Sequence, residues 1–205
     1  MNCKIIGFEN GPLEVDCSDV VWMKDGEQFD VENPSHPCRC GHSKNKPFCD
    51  GSHVNAGFTS EREISEEILQ RYKGKEITIN FNRSICAGSG ECVRGLASVF
   101  KAGEEKNWIY PDNDSSINII KTIKACPSGA LSYSIDEKTD IDRRTEPKVN
   151  VVKNGPYQVE GIAFENSSEP TNSSGTKYTL CRCGHSKNKP YCDYSHAKEA
   201  WNDED

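Results

Sequence analysis

Long apolar runs are missing from this 205-residue chain. Only 34% of its residues are hydrophobic, and no stretch approaches the ~18 apolar residues that a membrane-spanning helix needs. No membrane partner is therefore expected. The opening Met1-Asn2-Cys3-Lys4-Ile5-Ile6-Gly7 likewise lacks the apolar region of a secretory signal. Basic residues are outnumbered, 25 Lys and Arg against 32 Asp and Glu, for a formal net charge of −7. That balance argues against nucleic acid as a partner. Catalytic signatures are missing too: there is no Walker-type loop, no Gly-x-Ser-x-Gly elbow and no dinucleotide fingerprint. The carboxylates fall in charge runs that read as solvated faces, so no catalytic residue is assigned and no enzyme is expected.

What the chain does have is cysteine, eleven in all. A secreted disulfide scaffold is disfavoured by the odd count and by the N-terminus, so a reducing cytoplasm is the expected setting. The lean apolar content suits small modules whose folding is coupled to metal binding, with ligand bonds standing in for core area.

Nine of the cysteines fall in patterns. Residues 38–53 read Cys38-Arg39-Cys40-Gly41-His42-Ser43-Lys44-Asn45-Lys46-Pro47-Phe48-Cys49-Asp50-Gly51-Ser52-His53, and residues 181–196 repeat them almost letter for letter. Cys38 and Cys40 offer two soft thiolates from one loop. Cys49 and His53 are four apart, so on a helix both would face one centre, and Pro47 suits a helix opening near Cys49. Such a set can hold a 2Fe-2S cluster, Cys38 and Cys40 on one iron, Cys49 and His53 on the other. The repeat supplies Cys181, Cys183, Cys192 and His196. Zinc is the competing reading, because three Cys and one His also make a structural zinc site. Zinc thiolates, however, usually stand two to four residues apart, which Cys-x-Cys followed by an eight-residue gap fits poorly. His42 and His185 lie off the ligand positions and read as solvent-facing residues or as supports behind the ligands, and His36 reads as a loop residue.

This block resembles the CDGSH iron–sulfur domain family, the mitoNEET-like group. Its signature runs Cys-x-Cys, a Ser or Thr three residues on, then Pro-x-Cys-Asp-Gly-Ser-His. Residues 38–53 match throughout, whereas the second copy has Tyr194 in place of the signature glycine. Gly51 takes backbone angles that strain a tyrosine, so the second pocket is expected to differ. The resemblance implies units paired about a twofold axis through swapped strands, a small β-rich cap over a helical cluster-binding region.

The duplication extends beyond the ligands. Asn10-Gly11-Pro12-Leu13-Glu14-Val15 leads into the first motif and Asn154-Gly155-Pro156-Tyr157-Gln158-Val159 into the second. The offset is 144 residues at the leads (154 − 10) and 143 at the motifs (181 − 38). A unit of some fifty residues is therefore repeated. Turn signals at Asp25-Gly26 and Gly11-Pro12, with Val20-Val21-Trp22 and Tyr178-Thr179-Leu180, predict short strands before each loop. Pairing of the two units within one chain, giving a monomer, is favoured over a homodimer, since unpaired copies would leave strand edges open.

Between the copies lies another module. Glu61–Tyr72 is charged, with Ile64, Ile68 and Leu69 as a partial stripe, and predicts a connecting helix over 60–74 ending at Gly74. Lys75–Phe81 alternates as a strand, Ser116–Lys124 reads as a helix and Ser132–Ile135 as a closing strand. The charged stretch from Asp136 to Lys148 reads as a linker. The expected class is α+β: a small β-rich cap of two CDGSH units (1–59 and 149–205) with helical cluster-binding loops. A ferredoxin-like domain (75–136) is inserted, and 137–148 links it to the second unit.

Cys86-Ala87-Gly88-Ser89-Gly90-Glu91-Cys92 keeps the outer cysteines of the ferredoxin Cys-x2-Cys-x2-Cys run and puts Ser89 in the middle. Cys126-Pro127 completes three thiolates. Gly88 and Gly90 let the backbone bend close and aim amides at a cluster. The stretch resembles the divergent single-cluster ferredoxin-like domain, on Gly90-Glu91-Cys92, Val99-Phe100, Trp108 and Cys126-Pro127-Ser128-Gly129-Ala130-Leu131. Cys86, Cys92 and Cys126 suffice for 3Fe-4S, the form leaned towards. A 4Fe-4S cluster would need a fourth ligand: Ser89, water or a partner thiolate. Ordinary core packing is the bland alternative for these three. Cys3 and Cys17 remain as small buried residues or free thiols, or as the missing ligand.

Exchanging a thiolate for an imidazole makes a cluster less negative and raises its potential. Lys44, Lys46, Arg39 and their copies Lys187, Lys189 and Arg182 would act the same way if close. The expected function is electron transfer with a redox-protein partner. The alternative is a carrier or sensor releasing 2Fe-2S to an acceptor through its histidine, and a zinc-stabilised interaction module lies further off.

Overall fold

The computed structural model describes residues 3–101, 103 and 107–204. The first unit contributes strands β1 (Lys4–Gly7), β2 (Leu13–Asp16), β3 (Val21–Lys24) and β4 (Glu27–Phe29), then one helical turn, α1 (Ser52–Asn55). The middle module holds β5 (Leu69–Lys73), β6 (Thr78–Asn82), α2 (Glu91–Gly95), α3 (Ser116–Lys124), β7 (Leu131–Ile135) and β8 (Lys138–Asp140). The second unit follows with β9 (Lys148–Val151), β10 (Tyr157–Glu160), β11 (Ala163–Phe164), β12 (Lys177–Leu180) and α4 (Ser195–Lys198). The described residues are mostly sheet with little helix, and no helix among them is long and apolar enough to cross a membrane.

The two leads fold alike because both alternate. Leu13 and Val15 of β2, and Tyr157 and Val159 of β10, face inward while their neighbours stay half-exposed. The sheets then mix the units. β1 lies parallel to β11 of the second unit, Ile5 opposite Phe164, in the order β11-β1-β2. β3 lies parallel to β9, Trp22 opposite Val149, inside the five-stranded order β12-β10-β9-β3-β4. Ile5, Trp22, Val149, Tyr157, Tyr178 and Leu180 are buried in the core that results.

The middle module is the antiparallel sheet β5-β6-β7-β8 with α3 against β7. Ser115 caps α3, its hydroxyl accepting from the Asn118 amide at 3.4 Å. Ile119 and Ile123 go inward, into the same core as Phe81, whose ring meets Trp108 edge-on at 5.0 Å.

Three expectations are corrected. The connecting helix over 60–74 is absent. Leu69–Lys73 forms strand β5, hydrogen-bonded along β6, and Ile68 and Leu69 stay exposed. Three apolar residues gave too narrow a face to bury, and the ladder to β6 satisfies the backbone instead. The linker 137–148 contains β8, a hairpin partner of β7 that turns at Asp136 and Glu137, both at positive φ. Cys3 and Cys17 are neither free thiols nor ligands: they form a disulfide. The β1–β2 register sets Lys4 opposite Asp16, so Cys3 and Cys17 come face to face, their Cα atoms 4.3 Å apart.

Candidate metal centres

Each CDGSH loop opens on a thiolate pair. Cys38 Sγ and Cys40 Sγ lie 3.5 Å apart, and Cys181 Sγ and Cys183 Sγ 3.8 Å. The second half of each set is a Cys–His pair: Cys49 Sγ is 3.4 Å from His53 Nδ1, and Cys192 Sγ is 3.4 Å from His196 Nδ1. Helix α1 starts only at Ser52, so the helix expected to open near Cys49 begins three residues later. Asp50 organises that start. Its carboxylate accepts from the Lys44 amide at 2.8 Å and the Ser52 amide at 3.0 Å. Asp193 does the same for Lys187 and Ser195, both at 3.0 Å. Ser43 and Ser186 close each loop by donating to the Phe48 and Tyr191 carbonyls at 2.6 Å.

The two loops touch. Cys40 and Cys183 form an antiparallel backbone bridge, and the glycines that follow them are packed against the opposite strand. A Cβ on Gly41 would lie 2.4 Å from the Cys183 carbonyl oxygen, and one on Gly184 2.4 Å from that of Cys40. Trp201 donates its indole N–H to the Gly41 carbonyl at 3.3 Å, and the Tyr157 hydroxyl serves the Cys38 and Pro47 carbonyls at 2.8 and 2.7 Å. The second unit thus props the ligand loop of the first.

The donor chemistry fits a cationic centre. The Cys38 thiol is drawn down to about 5 by its hydrogen bond with Cys40, while that same contact and burial drive Cys40 up. Cys181 is likewise drawn down to about 7 by Cys183, which rises. One thiolate per pair forms readily and the second is resisted, a cost that bound iron would offset. Buried cations stand nearby: Lys189 favours the Cys181 thiolate, and Arg39, 5% exposed, bonds the Gly11 carbonyl at 2.7 Å. Among the described residues, no three His, Cys, Asp or Glu side chains converge as on a single ion. His42, His185 and His36 are exposed, as expected, and His36 pairs with Glu14 at 3.4 Å.

In the middle module Cys86 and Cys92 bracket a glycine loop, and Cys126 lies within electrostatic reach of both. Gly88 and Gly90 have φ of 70° and 74°, and the Gly88 amide favours the Cys86 thiolate against a burial that raises it. Burial pushes Cys92 up to about 12, with Cys126 and Cys86 adding their charge. α3 delivers Cys126, whose amide bonds the Ile123 carbonyl at 3.0 Å. The buried Ser128 hydroxyl stands 3.6 Å from Cys126 Sγ. Ser89 is half-buried in the loop, its carbonyl held by Arg94 at 2.7 Å.

Two family models match in the same order. One described as an iron-binding zinc finger of CDGSH type covers residues 10–54 and again 154–197. One described as a divergent 4Fe-4S mono-cluster covers residues 72–136 between them. The chain belongs to the CDGSH iron-binding family. It is a CDGSH protein of tandem layout, two units flanking a mono-cluster domain, and hence an iron–sulfur protein. An uncharacterized protein YjdI of Escherichia coli K12 is 45% identical over 62 residues, 30% of this chain and 80% of that protein. The YjdI protein of Escherichia coli O157:H7 matches to the same extent. No solved structure matches this chain.

Proposed function

We propose that the CDGSH protein is an electron-transfer protein with three centres and no catalytic residue. Cys38, Cys40, Cys49 and His53 hold one 2Fe-2S cluster, and Cys181, Cys183, Cys192 and His196 a second. Cys86, Cys92 and Cys126 hold a 3Fe-4S cluster, or 4Fe-4S with Ser89 or an outside ligand as the fourth. Bound clusters supply one-electron chemistry, and a histidine in each CDGSH set raises the potential relative to four thiolates. The observation that carries the reading is the contiguity of the ligand loops, with Cys40 and Cys183 paired backbone to backbone. The protein works as a monomer in the cytoplasm and meets a redox-protein partner.

The protein's own residues set the environment. Arg39 and Lys189 favour negative charge at the Cys181 pair, the glycines at 41 and 184 allow close approach, and burial of the Cys-x-Cys pairs excludes water. Anaerobic photoreduction and reoxidation tests the proposal. All centres should cycle reversibly with iron retained; loss of iron within one cycle would refute electron transfer.

A second reading is favoured by the openness of the first site. Cys49 is only half-buried and Asp50 exposed, whereas Cys192 is buried and Asp193 half-buried; His53 and His196 are half-buried alike. That half could let 2Fe-2S go to an acceptor. Incubation with an apo-ferredoxin separates the two readings: transfer of iron and sulfide supports delivery.

A further inference from the structure

The two CDGSH copies differ most at one residue. Tyr194 stands between Cys192 and His196, where the first copy has Gly51. It nevertheless keeps the glycine backbone, with φ of 79° against 87°, a region that side chains other than glycine seldom occupy. Around Gly51 there is open space: a Cβ added to it would meet nothing within 4 Å. Tyr194, though 36% exposed, has one side of its ring covered. Its ring lies on Gly88, between Cys86 and Cys92. A Cβ on Gly88 would fall 2.0 Å from Tyr194 Cδ2 and 2.2 Å from Cε2. The ring also meets His196 edge-on at 5.6 Å. The Tyr194 ring therefore touches the ligand loops of two different centres.

Other contacts along this seam also belong to the second copy. The buried Asn188 amide donates to the Ser84 carbonyl at 2.8 Å, and the Glu63 amide donates to the Lys187 carbonyl at 2.8 Å. Asn45, the first-copy counterpart of Asn188, is exposed.

We propose that Tyr194 is a positioning residue that docks the second CDGSH ligand set onto the glycine loop of the middle domain, so that these two sites form a fixed pair and the first site faces outward. The proposal rests on the ligand assignments above but not on electron transfer. Contact through the protein's own residues then runs from the middle site through Gly88 and Tyr194 to the second, and through Cys183 and Cys40 to the first.

The test uses the full chain with its clusters and compares the unaltered protein with Tyr194→Gly, which restores the family signature, and Tyr194→Phe, which keeps the ring. Amide hydrogen exchange over residues 86–92 should speed up on the order of tenfold in Tyr194→Gly, the size expected for losing one packed contact. Exchange over 38–53 should stay unchanged, and Tyr194→Phe should behave as the unaltered protein. Paramagnetic resonance adds a second readout. The second centre should relax faster when the middle centre is paramagnetic, and Tyr194→Gly should weaken that effect. Unchanged exchange over 86–92 in Tyr194→Gly would overturn the docking role. Changed exchange in a protein that fails to cycle electrons would keep the docking and sink electron transfer instead.

Discussion

Substituting Gly41 by alanine addresses the seam that joins the two cluster loops. Gly41 has φ of 84°, which costs an L-residue ~1–2 kcal/mol. Its new Cβ would sit 2.4 Å from the Cys183 carbonyl oxygen and 2.9 Å from the Trp201 indole nitrogen. Ordinary contact begins near 3.4 Å, so backbone on both sides must separate by about 1 Å, an overpacking cost of ~1–3 kcal/mol. Gly41→Ala should therefore destabilise by roughly 2–5 kcal/mol, a large part of the ~5–15 kcal/mol that holds a domain together. Gly26→Ala is the control. Its φ is 86° but nothing lies within 4 Å of the added carbon, so only the conformational cost of ~1–2 kcal/mol applies. Gly184→Ala, facing the Cys40 carbonyl oxygen at 2.4 Å, should match Gly41→Ala. The two together should cost less than their sum, because they open one shared contact. Urea midpoints followed by circular dichroism, with visible absorbance to report bound iron, measure all four. Equal shifts for Gly41→Ala and Gly26→Ala would refute the close approach of Cys40 and Cys183.

Three further outcomes follow from the structure. His53→Cys should lower the potential of the first centre by roughly 100 mV or more, a single-ligand share of the gap between histidine-bearing and all-cysteine two-iron centres; an unmoved potential by redox titration would remove His53 from the ligands. Asp142→Ala should cost ~3–5 kcal/mol, because Lys177, 1% exposed, donates to Asp142 Oδ2 at 2.7 Å and would keep only the Lys124 carbonyl at 2.8 Å; a denaturation midpoint within error of the parent contradicts this. Hydrogen bonds from the Asn118 side chain and the Ser115 amide hold the Asp114 carboxyl below the ordinary carboxylate range. A depressed carboxyl stabilises the fold above its unfolded value and loses that contribution as pH falls through the folded one. Melting of the middle domain should thus come earlier as pH drops below ~4, and Asp114→Asn should flatten the dependence.

Much of the candidate site is legible in the letters alone. The repeated motif carries both proposed ligand sets, because a cluster needs its donors at fixed spacings. Ser116–Lys124 is legible as α3 for a similar reason: its periodicity and its Ser115 cap agree. The strand at Leu69–Lys73 is not, because its backbone partner, Asn82–Thr78, sets its conformation and its side chains stay largely exposed. Cys3 and Cys17 meet through the β1–β2 register, which a separation of 14 residues does not disclose. Their disulfide stands beside the expectation of a reducing compartment, where such bonds are rare. Tyr157 and Trp201 escape notice as supports because each acts on the opposite unit, 119 and 160 residues away. Ser128 offers only the signal of its place after Cys126-Pro127. Tyr194 is visible as the one departure from the signature, but its contact with Gly88 needs the tertiary fold.

The inorganic content of the native protein is the most direct test of the three centres. Iron and acid-labile sulfide, counted together with the paramagnetic resonance of anaerobically isolated material, should give two two-iron centres and one three- or four-iron centre per chain. A colourless protein holding zinc, with no labile sulfide, would contradict them.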